Sequence, residues 1–174
     1  SQPPQEKVQL NVEGILHLIT MELFYLNKIT VRKMADISTK NLSLKNSTGS
    51  ISFEGNKSSA TGKKGGAICA TGTVDITNNT APTLFSNNIA EAAGGAINST
   101  GNCTITGNTS LVFSENSVTA TAGNGGALSG DADVTISGNQ SVTFSGNQAV
   151  ANGGAIYAKK LTLASGGGGG YLLF

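Results

Sequence analysis

Four phrases in this chain nearly repeat one another. "GGAICATGTVDITN" starts at Gly65, "GGAINSTGNCTITGN" at Gly94, "GGALSGDADVTISGN" at Gly125 and "GGAIYAKKLTLASG" at Gly153. A chain that writes Gly-Gly-Ala-aliphatic four times, each followed by an alternating phrase, is built from copies of one supersecondary unit that stack on each other. The first glycines lie 29, 31 and 28 residues apart. A second motif, Phe-x-x-Asn, alternates with the first as Phe53–Asn56, Phe85–Asn88, Phe113–Asn116 and Phe144–Asn147.

The spacings separate scaffold from loop. From the first Gly to the Ile of an Ile-Thr/Ser-x-Asn phrase is always 11 residues, and from that Ile to Phe is 9, 8 and 8. From Phe to the next Gly pair the count is 12, 9, 12 and 9. Near-constant segments are what strands and tight turns produce, and steps of three are what a surface loop tolerates. Each unit holds three alternating runs, which predict three half-buried strands with Val74 and Ile76, or Val142 and Phe144, pointing the same way.

About 30 residues per unit, three strands and no helical period predict an all-β fold: a right-handed parallel β-helix of about five coils. At roughly 4.8 Å per coil the regular part would be about 24 Å long. Gly65 and Gly66, Gly94 and Gly95, Gly125 and Gly126, and Gly153 and Gly154 suit a sharp corner, where a residue without Cβ accepts φ > 0. Ala67, Ala96, Ala127 and Ala155 follow because a larger side chain would crowd that corner. The aliphatics Ile68, Ile97, Leu128 and Ile156 then enter the core. The Asn residues at 79, 108 and 139, and at 56, 88, 116 and 147, fall at strand ends. There they tolerate left-handed backbone or bond to neighbouring coils.

Composition limits the functions such a scaffold can have. With 38% hydrophobic residues and a formal charge of +1, the Gly-rich chain is ordered, unlike a weakly hydrophobic, highly charged one. Lys63-Lys64 and Lys159-Lys160 are isolated pairs, so the basic footprint of a nucleic-acid binder is missing. Segment 15–26, "ILHLITMELFYL", is interrupted by His17 and Glu22 and is too short to span a bilayer. No secretory signal pattern precedes it.

Chemistry is sparse. The acids within the repeats are Glu54, Asp75, Glu91, Glu115, Asp131 and Asp133, and the chain has one Arg, Arg32. Asp75 shares its repeat position with Thr104 and Thr135, so no carboxylate row of the kind glycosidases use forms there. Asp131 and Asp133 sit in a loop-to-strand segment without a nearby Arg. That argues against a carbohydrate-active enzyme, and no catalytic residue, metal ligand or cofactor is assigned. His17 is the only His and lacks the three or four ligands of a metal site. The glycine tract lacks the Lys-Ser/Thr of a phosphate loop. A Thr-array, ice-binding surface is broken at Asp75. Cys103 takes the inward position of Val74 and Val134, and Cys69 the position of Asn98, Ser129 and Tyr157, read as outward. Two free thiols are expected, with Cys69 the more available for intermolecular pairing.

Tandem GGA(I/L/V) alternating with FxxN over roughly 42–170 resembles the passenger domains of chlamydial polymorphic outer membrane proteins, with the G-like subgroup as the nearest pattern. The resemblance implies a surface-displayed autotransporter passenger: a host-cell adhesin and antigen on the bacterial outer membrane, or secreted. It also implies a secretion signal and a membrane barrel elsewhere in such proteins. A passive stalk is the alternative. The expected partner is a host cell-surface receptor, with self-association through coil ends or Cys69, no nucleic acid and no membrane span in this stretch. A contact surface would lie in the variable loops 57–64, 89–93, 117–124 and 148–152. Candidate contact residues there are Lys63, Lys64, Glu91, Thr119, Thr121 and Asn152.

Three regions follow. Residues 42–164 carry the repeats. Residues 1–41 lack both motifs and read as a cap over the open end or as a grafted, vector-derived piece. Leu44 nevertheless falls where the repeat puts its Ile, and Ala35 on the Ala of a degenerate corner. Residues 165–174 read as a Gly-rich end with a terminal strand, and Phe174 as a chance echo of autotransporter barrel ends.

Overall fold

The computed structural model describes residues 9–12, 16–24, 28–32, 37–166 and 170–174. They form eighteen strands and no helix. Every pairing between strands is parallel. The chain is a β-solenoid, and the spacing argument holds residue by residue. Ile76 pairs with Ile105 and Ile105 with Ile136, while Phe53, Phe85, Phe113 and Phe144 pair in succession. The solenoid has about four turns, where five coils were expected. Leu42, Val74, Cys103, Val134 and Leu161 follow one another at one position, so the repeat region makes four turns from Leu42 to Leu161.

Three successive turns contain four strand segments each, one more than the three expected; in the turn after them Gln148 makes only a single bridge to Ser117. The residues after the Gly pair (Ile68–Ala70, Ile97–Ser99) and the next alternating run (Val74–Thr77, Cys103–Thr106) belong to one eight-stranded sheet. In Ile37–Lys45, Leu128–Asn139 and Ile156–Ser165 the two runs join into a single strand. The Phe-bearing strands Ser50–Glu54, Thr83–Ser86, Leu111–Ser114 and Ser141–Ser145 form the second sheet. The extra segment is a three-stranded ribbon of Lys57–Ser58, Ile89–Ala90 and Ser117–Val118, inside what looked like variable loop. Two residues are too few for an alternating pattern to be seen in the sequence.

The inward positions make continuous columns. Phe53, Phe85, Phe113 and Phe144 stack with centroids 4.8 to 4.9 Å apart and planes within 7° of parallel. That separation is the spacing between hydrogen-bonded strands, so backbone register sets the ring geometry. The column has a fifth member. Tyr171, Leu172 and Leu173 pair with Ser141, Val142 and Thr143, and Phe174 stacks on Phe144 at 5.3 Å. Phe174 is thus the next rung's Phe, not a chance terminal residue.

Two Asn ladders close the strand ends. Asn79 donates through Nδ2 to Asn108 Oδ1 at 2.9 Å, and Asn108 to Asn139 at 2.9 Å. The second ladder runs Asn56, Asn88, Asn116, Asn147 at 2.8 to 2.9 Å. In each, Oδ1 also accepts the backbone N–H of the previous rung's Asn, and Nδ2 also bonds a strand carbonyl, as Asn88 does with Phe53 O. Buried amides so satisfied fix the register without an unmade bond. The left-handed residues are the ones just before the ladder Asn: Asn78, Gly107 and Gly138 in one row, Gly55, Asn87, Glu115 and Gly146 in the other. The ladder Asn residues are therefore kept for their amides, and the turn is made one residue earlier.

The ends also carry parallel strands. Leu16–Phe24 pairs with Ile37–Lys45, Lys28–Arg32 with Ser50–Glu54, and Gln9–Val12 with Lys28–Arg32. Leu44 pairs with Ile76, as the spacing predicted. Ala35 lies outside the described residues, as do the side chains of His17 and Glu22.

Candidate contact surface

The Gly pair is needed by the scaffold. Gly65 has φ +67°, and a Cβ there would lie 2.0 Å from Ile68 O. The second glycine is required for another reason: a Cβ on Gly126 would sit 1.9 Å from the carbonyl oxygen of Gly154 one rung on. Ala67, Ala96 and Ala127 after it are fully buried. These motif residues, like the four Phe, are structural and offer no group to a partner.

The loops between Phe-x-x-Asn and the Gly pair line up along one edge. Parallel bridges link Lys64 to Ala93, Ala93 to Asn124 and Asn124 to Asn152. The short loops 89–93 and 148–152 lie under and over the longer ones and are laced to them. Ala92 N–H donates to Lys63 O at 2.8 Å, and Ala151 N–H to Gly123 O at 3.0 Å. Ser58, Ala90 and Val118 are buried, so the first residues of the expected loops belong to the scaffold. The enlarged parts are 59–63, all exposed, and 119–123, exposed at Thr119, Thr121 and Ala122 but buried at Gly123, each closed by a tight turn: Lys63 N–H to Ala60 O at 3.0 Å and Gly123 N–H to Ala120 O at 2.8 Å. Both are three-residue enlargements of the same corner.

The six candidate residues lie on this edge but are not equally available. Lys63, Thr119, Thr121 and Asn152 are exposed. Glu91 holds the neighbouring loop through Oε2, which accepts Gly62 N–H at 2.8 Å. Lys64 spans two rungs to Asp131, Nζ to Oδ2 3.2 Å, and Asn152 donates through Nδ2 to Asn124 Oδ1 at 3.0 Å. The Lys64–Asp131 contact joins residues 67 apart, and no sequence signal marks it. Exposed ion pairs of this kind contribute about 0–1 kcal/mol.

The acidic residues are dispersed. Asp75 pairs with Lys45 at 3.4 Å and Asp133 with Lys160 at 3.7 Å. Asp131 and Asp133 lie within the continuous strand Leu128–Asn139, at its register shift, and not in a loop-to-strand segment. Among the described residues no three His, Cys, Asp or Glu side chains gather as metal ligands. Both cysteines are free of disulfides. Cys103 pairs with Val74 and Val134 and is fully buried. Its thiol is pushed up from 9.0 to about 12, by burial first and then by the Asp75 charge. Cys69 is half-buried, and its row is less open than expected, since Asn98 and Ser129 beside it are buried. The row sits beneath the Gly corner: a Cβ on Gly125 would touch Ser129 Cβ at 3.0 Å.

Taken together, the geometry defines a repeat scaffold: a β-solenoid with an invariant core, ladder-fixed register and loops of alternating length along one edge. The model of the Chlamydia polymorphic membrane protein repeat matches the chain at three places, residues 50–71, 82–100 and 141–159. The family of that repeat is one of chlamydial outer-membrane or surface proteins. No solved structure matches the chain.

Proposed function

We propose that this chain is part of a surface-displayed autotransporter passenger, of G-like type, that acts as a host-cell adhesin and antigen without catalysis. The observation behind this reading is the edge of stacked loops: it is where length varies over a constant scaffold, and recognition resides on such loops. Lys63, Thr119, Thr121 and Asn152 offer polar groups there, and segments 59–63 and 119–123 are enlarged over their short neighbours.

The test is binding of the purified chain to epithelial cells, with and without trimming the two eight-residue loops to the five-residue length of 89–93 and 148–152. Saturable binding that disappears in a trimmed chain of unchanged circular dichroism supports the adhesin. A folded parent chain that does not bind leaves the stalk as the reading.

A further inference from the structure

One short loop lies between two long ones. Ala90 is aligned with Ser58 on one side and Val118 on the other, and Ala93 with Lys64 and Asn124. Between these fixed points the middle rung has two residues, Glu91 and Ala92, where each neighbour has five. Segments 59–63 and 119–123 are therefore two strand spacings apart, about 9.6 Å. The level between them, beyond Glu91 and Ala92, holds no main chain of the middle rung and forms a slot. A single extended chain placed there would lie one spacing from each wall, at the distance of a paired strand.

The walls offer the groups such a chain needs. The backbone N–H groups of Ala60 and Thr61 on one wall, and of Thr121 and Ala122 on the other, donate to no described residue. The carbonyls of Thr61, Gly62 and Thr121 accept from none. From Ser59 to Gly62 and from Thr119 to Gly123 no side chain is larger than threonine, so another main chain can come close. The fourth wall donor is already taken in an informative way. Gly62 N–H donates to Glu91 Oε2 at 2.8 Å. The acceptor is a side-chain oxygen sent out from the middle rung, in the place of a paired chain's carbonyl. The main chain of Glu91 is fixed independently of that contact: its N–H donates to Ser58 O at 2.9 Å, and its carbonyl accepts Ala120 N–H at 2.8 Å. The carboxylate can therefore leave Gly62 without disturbing the rung.

We propose that the slot between 59–63 and 119–123 binds one extended polypeptide segment of a partner protein, paired main chain to main chain with both walls. The Glu91 carboxylate is a stand-in acceptor, which a carbonyl of the segment displaces from Gly62. This names a partner class for the contact edge of the adhesin reading and rests on that reading. An added strand takes affinity from its main chain and specificity from alternate side chains. Here the side chains that point to the floor must be small, because Ala92 and Gly123 lie close together: a Cβ on Gly123 would be 3.3 Å from Ala92 O. The occupant is thus an extended stretch with small residues at every second position.

The experiment selects phage-displayed octapeptides on the intact chain and measures them, as free peptides with blocked ends, against two variants. In the first, Glu91 and Ala92 are replaced by the sequence of 119–123, so that the middle rung fills the slot with its own chain; circular dichroism checks the fold. In the second, Glu91→Ala frees Gly62 N–H. Selected peptides should bind the intact chain and lose binding to the filled one. They should bind Glu91→Ala roughly two- to tenfold tighter, the worth of one hydrogen bond that no longer has to be displaced. A selection that yields no binding peptide overturns the proposal, as does equal binding to a folded, filled chain. So does unchanged or weaker binding to Glu91→Ala, which decides alone if the filled chain does not fold. Cell binding separates the slot from the adhesin reading. Intact and filled chains that bind epithelial cells equally overturn the slot and leave the adhesin. An intact chain that binds no cells overturns the adhesin, and the peptides still decide the slot.

Discussion

Replacing Asn108 by alanine tests whether the buried ladders hold the solenoid together. Asn108 Oδ1 accepts the backbone N–H of Asn79 at 3.1 Å and its Nδ2 at 2.9 Å. Its own Nδ2 donates to Ile76 O at 2.8 Å and Asn139 Oδ1 at 2.9 Å. Alanine removes all four, and with them the 3.3 Å bond from Nδ2 to Thr106 O. Asn139 Oδ1 keeps a partner, because the backbone N–H of residue 108 still reaches it at 2.9 Å. The backbone N–H of Asn79 and one of its two Nδ2 hydrogens do not, since Nδ2 keeps only Leu44 O at 3.1 Å, and Asn79 is fully buried. Each orphaned buried donor costs about 1–3 kcal/mol, so the substitution should destabilise by about 2–6 kcal/mol. Against a domain stability of about 5–15 kcal/mol, that is a large fraction. Urea unfolding followed by far-ultraviolet circular dichroism reads it directly. Asn152→Ala, at an exposed Asn pair, is the control and should stay within about 0.5 kcal/mol of the parent. Asn79→Ala with Asn108→Ala should cost less than the sum of the two, because they break the same bonds. A loss below about 1 kcal/mol for Asn108→Ala would show that the ladder amides are easily replaced by water or relaxation, and the argument would fail.

Phe113→Ala removes a fully buried ring with neighbours at 4.9 and 4.8 Å on its two sides. It should cost about 3–5 kcal/mol in the same urea assay, and an unchanged midpoint would contradict its burial. Glu115 holds φ +54° although exposed; Asn, used at the equivalent Asn87, relieves a left-handed penalty of roughly 1 kcal/mol, so Glu115→Asn should raise the midpoint. The Cys103 thiol, raised from 9.0 to about 12, keeps its proton in the fold after the unfolded chain has lost it. Its contribution is intact below pH 9 and falls as pH rises through 9 to 12, by about 1.4 kcal/mol per unit. Cys103→Val should flatten that alkaline slope, and an identical slope in the variant would show that other groups cause it. In thiol titration of the native chain Cys69 should react and Cys103 should not; both should react in denaturant.

The repeat phrases alone determined the β-solenoid, the pairing of Ile76 with Ile105 and Ile136, the Phe column and the inward place of Cys103. The physical reason is that a stacked fold maps constant sequence spacing onto constant position in space, so residues 30 apart are neighbours by arithmetic. Where side chains meet off that lattice, the arithmetic is silent. Only the tertiary structure showed that Lys64 reaches Asp131 across two rungs, that Glu91 pins the neighbouring loop, and that Ser58, Ala90 and Val118 turn expected loop into ribbon. It also decided which residue of each Asn turn is left-handed: the ladder amide needs its backbone N–H and side chain aligned with the next rung, so the preceding residue takes the strain.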